Sequence, residues 1–201
     1  MFITIDGPDG TGKTTLAHKL AENLQAQGLP AVYTCEPTDS ELGRRIRTIL
    51  REGGCELGRL TDLFVEDRAG HIRSFIEPCC RQGQLVICDR YKYSTICYQH
   101  LQGEPIERLL ERNRNFLAPD LAVILCTNDA GLLLERIGRR GLGADLFESR
   151  KTIENSIALY RRMPEFFPEE NFHYIDSKLP LEETAAQLSE LIRQNFSAKK
   201  D

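Results

Sequence analysis

The chain has 201 residues, 41% of them hydrophobic, which is enough for the core of one ordinary domain and excludes disordered and fibrous classes. Twenty-six basic against thirty acidic residues give a net charge of −4, which argues against a surface built to grip nucleic acid but allows an anionic small substrate if positive charge is gathered locally. The longest unbroken apolar run, Leu121 to Cys126, spans six residues where a membrane-spanning helix needs roughly 20, so no integral membrane protein is expected.

The first predicted element is the apolar strand Phe2–Asp6. No basic stretch precedes Asp6, so no secretory signal is expected. The strand runs into Gly7-Pro8-Asp9-Gly10-Thr11-Gly12-Lys13-Thr14, which satisfies G-x-x-x-x-G-K-[ST] and opens a helical period over Thr14–Gln27. Glycines at this spacing let backbone N–H groups turn inward around a β-phosphate, and the helix adds its positive dipole end. Lys13 is placed to reach the β- and γ-phosphates and the Thr14 hydroxyl to enter a Mg²⁺ shell, so the chain is expected to bind a nucleoside triphosphate.

A second strand, Ala31–Cys35, is followed by helical periods over Leu42–Arg51 and Leu60–Gln82. The third strand, Leu85–Asp89, ends in a carboxylate able to orient Mg²⁺ or its waters. Arg90 directly follows it, and an arginine there is costly to bury unless a phosphate pairs with it. A second phosphate-bearing ligand is therefore expected at the same sheet edge. Helix Glu104–Leu117, strand Leu121–Cys126 and helix Ala130–Ile137 come next. Gly138 to Ala144, with three glycines and two arginines, reads either as a solvated loop or as a basic lid that closes on an anion. Helix Arg150–Arg162, strand Phe172–Ile175 and helix Leu181–Phe196 complete the series.

Alternating strands and helices predict a parallel five-stranded sheet covered by helices on both faces, with ligands at the strand C-termini. The seven cysteines are an odd number without a C-x-x-C pair or a zinc spacing, and they read as reduced structural thiols in a cytoplasmic protein. A signalling GTPase would show N-K-x-D after the fourth strand, where this chain has Thr127-Asn128-Asp129-Ala130. A compact P-loop chain with a Gly/Arg stretch between its last helices fits phosphoryl transfer to a small acceptor instead.

Over essentially its full length the sequence resembles the thymidylate kinases. The resemblance rests on the P-loop with Asp9, on Glu36-Pro37, and on Phe64-x-x-Asp67-Arg68-Ala69. It continues through Asp89-Arg90-Tyr91-x-x-Ser94-Thr95-x-x-Tyr98-Gln99, Pro119-Asp120-Leu121 and Glu135-Arg136-x-x-Arg139-Arg140-Gly141. The fold it implies is the nucleoside-monophosphate kinase form of the P-loop NTPase α/β sandwich: one domain over residues 1–201, with a short lid at about 138–148. The implied reaction is transfer of the ATP γ-phosphoryl group to dTMP with Mg²⁺, in a cytoplasmic homodimer that engages neither nucleic acid nor membrane.

The implied roles follow residue by residue. Gly7, Asp9, Gly10, Thr11, Gly12, Lys13, Thr14 and Thr15 would hold the triphosphate, Arg136 would pack on adenine, and Thr14 and Asp89 would serve the metal. Phe64 would stack on the pyrimidine, Arg68 would donate to the base O4, and Thr95 or Ser94 would face N3. Asp9 would hold the sugar 3′-hydroxyl and Tyr98 would pack where a ribose 2′-hydroxyl would go. Glu36 and Pro37 would border the acceptor, and Arg90, helped by Arg47, would grip its phosphate. An acceptor phosphate is already ionised, so no general base is needed, and His18, His71, His100 and His173 are given no role. His18 is expected on an exposed helix face.

Four departures stand out. Cys35 occupies a position where many members have arginine, Thr38-Asp39 replaces a glycine pair, and Asp145 to Glu148 lacks a common arginine. Gly10 stands where one subgroup carries a catalytic arginine, so Arg139 or Arg140 of the lid is expected to supply that charge. Two other functions fit part of the pattern: a kinase of another deoxynucleoside or pyrimidine monophosphate, and a non-catalytic nucleotide-binding protein.

Overall fold

A computed structural model describes residues 1–139 and 150–198. Five strands, β1 Phe2–Asp6, β2 Ala31–Cys35, β3 Leu85–Asp89, β4 Leu121–Cys126 and β5 Phe172–Asp176, form one sheet in the order β2-β3-β1-β4-β5. Every neighbouring pair is parallel. The register sets Ile5 and Cys35 on either side of Asp89, so the P-loop leaves β1 next to the carboxylate that ends β3. Strand order reverses around β1, and in such sheets the crevice beyond the carboxyl ends at that point receives ligands.

Alternating strand residues face two helical layers. Ile3, Ile5, Leu85, Ile87, Val123 and Leu125 pack with α1 Lys13–Ala26 and α10 Leu181–Ala198. Phe2, Val86, Cys88, Ala122, Ile124 and Cys126 pack against the opposite layer. That layer includes α5 Lys92–Leu101, α6 Ile106–Asn113, α7 Ala130–Gly138, α8 Arg150–Arg161 and the single turn α9 Met163–Phe166. A third, smaller cluster of Ile46, Leu60 and Leu63 joins α2 Glu41–Glu52 to α3 Leu57–His71, to one side of the sheet. Among the described residues no helix is long and apolar enough to cross a membrane.

Three differences from the sequence expectations have physical causes. The helix predicted over Leu60–Gln82 divides into α3, a π-helical turn Ile72–Ile76 and α4 Glu77–Arg81. Pro78 lacks an N–H and its ring crowds the carbonyl four residues earlier, and the widened turn just before it accommodates both. Helix α5 was not foreseen because seven of its ten residues are buried, which erases the one-sided period that marks a surface helix. The segment Glu104–Leu117 is helical only over Ile106–Asn113, with Pro105 at its N-cap. The predicted lid falls mostly on residues 140–149, which with Arg140 and Asp145 to Glu148 lie outside the described residues.

Candidate active site

The P-loop geometry follows from close approach. An added Cβ at Gly7 would lie 2.1 Å from the Leu125 carbonyl oxygen and one at Gly10 would lie 2.7 Å from that of Leu133, and both residues have positive φ. Gly12 caps α1 in the left-handed region at φ 92°. The backbone of α7 thus closes over Gly10, which explains why that position carries no side chain. Lys13, 5% exposed, rests its Nζ 2.7 Å from the Pro8 carbonyl oxygen and 3.6 Å from Asp9 Oδ1. Burial, with the nearby Arg90 charge, lowers the lysine to about 8.

At the end of β3 the Thr14 hydroxyl donates to Asp89 Oδ2 at 2.5 Å. The other oxygen of Asp89 is buried and finds no hydrogen-bond partner among the described residues. A hydroxyl and a half-satisfied carboxylate form a hard-oxygen donor set that fits Mg²⁺, which also keeps several waters. Behind them, Asp6 Oδ1 accepts from Tyr91 N at 3.1 Å and from Ser94 Oγ at 2.7 Å, while Oδ2 is buried without a partner among the described residues. Burial outweighs these bonds and raises Asp6 to about 6.

Two cavities flank the P-loop. The first, about 200 Å³, is lined by Asp9, Glu36, Pro37, Phe64, Arg68, Arg90, Ser94, Thr95 and Tyr98 of the predicted set, together with Leu50, Tyr91, Gln99 and Gln102. At its deep end Arg68 is 1% exposed. Its Nε donates to Glu36 Oε2 at 2.9 Å, Nη1 to Asn113 Oδ1 at 2.6 Å, and Nη2 to Thr95 Oγ1 at 2.9 Å. The guanidinium also lies over the Tyr91 and Phe116 rings at 5.2 and 5.6 Å. At the mouth, Arg90 adopts φ 71°, a strained value for a residue with a side chain, and pairs with Asp9 Oδ1 at 2.5 Å over the Tyr98 ring. Burial alone would raise the Asp9 carboxyl, but Arg90 and Lys13 outweigh it and hold the group well below the usual carboxylate range.

Arg47 does not line this cavity. It donates to the Pro37 carbonyl and to Asp39, the acidic residue of the Thr38-Asp39 departure, so a carboxylate already occupies the guanidinium expected to help with phosphate. Cys35 is half-buried, with Sγ 3.8 Å from the Pro37 carbonyl oxygen. Ser94 is held by Asp6 and by Tyr160 OH at 3.0 Å, whereas the Thr95 hydroxyl is joined to Arg68.

The other cavity, about 490 Å³, is lined by Gly10, Thr11, Gly12, Thr15, Arg136, Arg139 and the stretch 176–181 before α10. Arg136 Nη1 donates to the Ser177 carbonyl oxygen at 3.0 Å, which ties α7 to that stretch. Arg139 is exposed and pairs with Glu135 at 2.5 Å.

Leu50, Gln102, Asn113 and the wall at 176–181 carry no motif, and their part in the two cavities follows only from the fold. Ile72 and Ile76, in the predicted helical segment Leu60–Gln82, are buried in the chain's own core. His18 is exposed and stacks on Tyr33 at 3.8 Å.

A family model described as thymidylate kinase matches residues 5–188. The chain is 35% identical to the thymidylate kinase of Leptospira borgpetersenii over 99% of this chain and 96% of that protein. It is 38% identical to a probable thymidylate kinase of Thermococcus onnurineus over 82% of this chain and 86% of the other. A thymidylate kinase of Xanthomonas euvesicatoria is 35% identical over 80% of this chain and 70% of its own length.

Proposed function

The chain belongs to the thymidylate kinase family, and from that membership we infer its reaction: transfer of the ATP γ-phosphoryl group to dTMP, giving dTDP and ADP. The single observation that best supports this acceptor is the buried Arg68, held on three sides at the end of a cavity that opens toward Arg90 and the P-loop. A guanidinium at that depth offers N–H groups to the thymine O4, where cytosine would present a second donor.

In this reading dTMP enters the first cavity with Phe64 beside the ring, Thr95 near N3, Asp9 at the 3′-hydroxyl and Tyr98 against C2′. Arg90 exchanges its Asp9 pairing for the acceptor phosphate, and Arg47 does the same from Asp39. ATP lies along Gly7–Thr15 with its base in the second cavity beside Arg136. Thr14 and Asp89 would hold Mg²⁺, which supplies charge neutralisation at the β- and γ-phosphate oxygens. An acceptor phosphate oxygen forms the new bond to the γ-phosphorus as the bond to the β,γ-bridging oxygen breaks, and ADP leaves with that electron pair. Lys13 and a lid arginine, Arg139 or Arg140, balance the charge that develops; with no side chain at Gly10, the lid is the remaining source. Cytoplasmic residence and a homodimer complete the reading, the latter testable by sedimentation velocity.

Steady-state release of ADP with dTMP as acceptor, in the wild-type protein and in Lys13→Ala, is the test. Mg²⁺-dependent turnover that the folded variant loses is expected. A wild-type protein that binds ATP but releases no ADP with any nucleoside monophosphate would leave a binding function in place of an enzyme.

A further inference from the structure

Glu36 has its two carboxylate oxygens divided between different partners. Oε2 receives Arg68, with Nε at 2.9 Å and Nη2 at 2.8 Å. Oε1 lies 3.1 Å from Nδ1 of His71. On the far side of the imidazole, Nε2 is 2.7 Å from the Thr34 hydroxyl of β2. The ring stacks against Phe75 with centroids 6.0 Å apart, and its side chain is 4% exposed. A carboxylate offers only acceptors, so Nδ1 must carry the proton that faces Glu36.

His71 lines no part of the acceptor cavity. It borders a separate cavity of about 560 Å³ on the other side of Glu36, together with Thr34 and Asp67. Arg68 and His71 are three residues apart on α3 and reach the same carboxylate, one through each oxygen. Cys88 brings a third potential metal-ligand atom within 4.8 Å, but its thiol donates to the Arg90 carbonyl and the Glu36 and His71 atoms already bond to each other and to Arg68 and Thr34. These groups therefore form a hydrogen-bonded relay.

We propose that His71 is a positioning residue for base recognition: by pinning Oε1 it fixes the rotation of the Glu36 carboxylate, so that Oε2 aims the Arg68 guanidinium at the edge of the acceptor base. Without that pin the carboxylate turns about its last bond and holds Arg68 through one oxygen of undefined direction. Asn113 and Thr95 orient only the outer nitrogens of the guanidinium, so the loss appears as blurred recognition more than as collapse. The proposal rests on the reading of the first cavity as the dTMP site.

The experiment compares His71→Phe, which keeps the ring and its stacking but removes both nitrogens, with His71→Asn, which keeps a donor near the Nδ1 position. His71→Phe is expected to raise KM for dTMP about tenfold and to narrow the preference for dTMP over dCMP, with kcat and KM for ATP changed far less. His71→Asn is expected to recover most of both effects. A purely structural role would lower the melting temperature without moving the acceptor preference, and an unchanged KM for dTMP in folded His71→Phe would overturn the proposal. So would a failure of His71→Asn to recover any of the loss. Nitrogen-15 spectra of the wild-type imidazoles give a readout that needs neither variant nor turnover. Nδ1 of His71 is expected to be protonated, and an unprotonated Nδ1 would overturn the relay even if dTMP is phosphorylated. A protonated Nδ1 in a protein that ignores dTMP would instead leave the relay standing and remove the acceptor assignment.

Discussion

Arg68 shows how strongly one side chain is specified by groups distant in sequence: its partners lie at 36, 95 and 113. Replacing it with alanine removes the donor offered to the base and should raise KM for dTMP far more than KM for ATP, by roughly 10- to 150-fold, as expected for a lost bond to a charged donor. Equal damage to both substrates would assign Arg68 to general structure. Asp6 makes a pH prediction. Its carboxyl titrates near 6 in the folded chain against an ordinary value near 3.8, so its protonated form is the better-tolerated one. The stability it contributes is fully present below the unfolded value and is lost as pH rises through 6, about 3 kcal/mol across the window. Urea unfolding of wild type and Asp6→Asn should show the wild type losing nearly that much relative to the variant between pH 3 and pH 7. A constant difference would mean that Asp6 is ionised at no cost in place. Asp89 and Arg90 were readable from the residues themselves, a carboxylate and an arginine closing an apolar strand, whereas Phe64 and Arg68 were singled out only by the resemblance to thymidylate kinases. His71, Asn113 and Leu50 were legible in neither way, because what they touch is decided by helices folding together over tens of residues.

Among the elements, the inner strands β1, β3 and β4 were the most legible, since a strand buried on both faces is a continuous apolar run bounded by polar residues, whereas β2 and β5 at the sheet edges are only partly buried. Helix α5 was hidden by its burial: with seven of ten residues buried, the one-sided period that announces a helix is lost. Helix α2 is where an element bears most directly on the site. Ser40 Oγ accepts from Gly43 N at 3.0 Å, and Asp67 of α3 accepts from Thr38 N at 2.8 Å and Ser40 Oγ at 2.9 Å, so α2 starts hard against the chain leaving Pro37. A Cβ at Gly43 would come within 1.9 Å of the Thr38 carbonyl oxygen, a backbone atom that cannot swing aside. Gly43→Ala should therefore displace the start of α2, cost about 1–3 kcal/mol, and raise KM for dTMP through Arg47 and Leu50 on the same helix. Wild-type stability and an unchanged KM would show that the approach is looser than it stands.

At the scale of the whole molecule, a buried ion pair ties the layer beside the acceptor cavity to the far edge of the sheet. Lys92 of α5 is fully buried, with Nζ 2.5 Å from Glu170 Oε1 and 4.6 Å from the Phe167 ring centroid, and the Tyr93 hydroxyl donates to the other oxygen of Glu170. Such a pair need not add net stability, but removing one partner strands a charge away from water. Glu170→Ala should cost about 3–5 kcal/mol in denaturant unfolding, and a loss below about 1 kcal/mol would mean that Lys92 reaches solvent or sheds its proton. The parallel order β2-β3-β1-β4-β5 turns these local facts into one site, because it places the P-loop, Asp89 and the end of β2 at a common edge with a cavity on either side. The central claim is that this edge carries a kinase selective for dTMP. One measurement tests it most directly: equimolar dTMP, dUMP, dCMP, dAMP and dGMP in a single reaction with ATP and Mg²⁺, each diphosphate quantified by chromatography. dTMP should be consumed first, dUMP roughly 10- to 200-fold more slowly for want of one methyl group, and dCMP and the purine nucleotides more slowly still. Consumption of dCMP or a purine nucleotide ahead of dTMP would contradict the assignment of Arg68 and Phe64 to thymine.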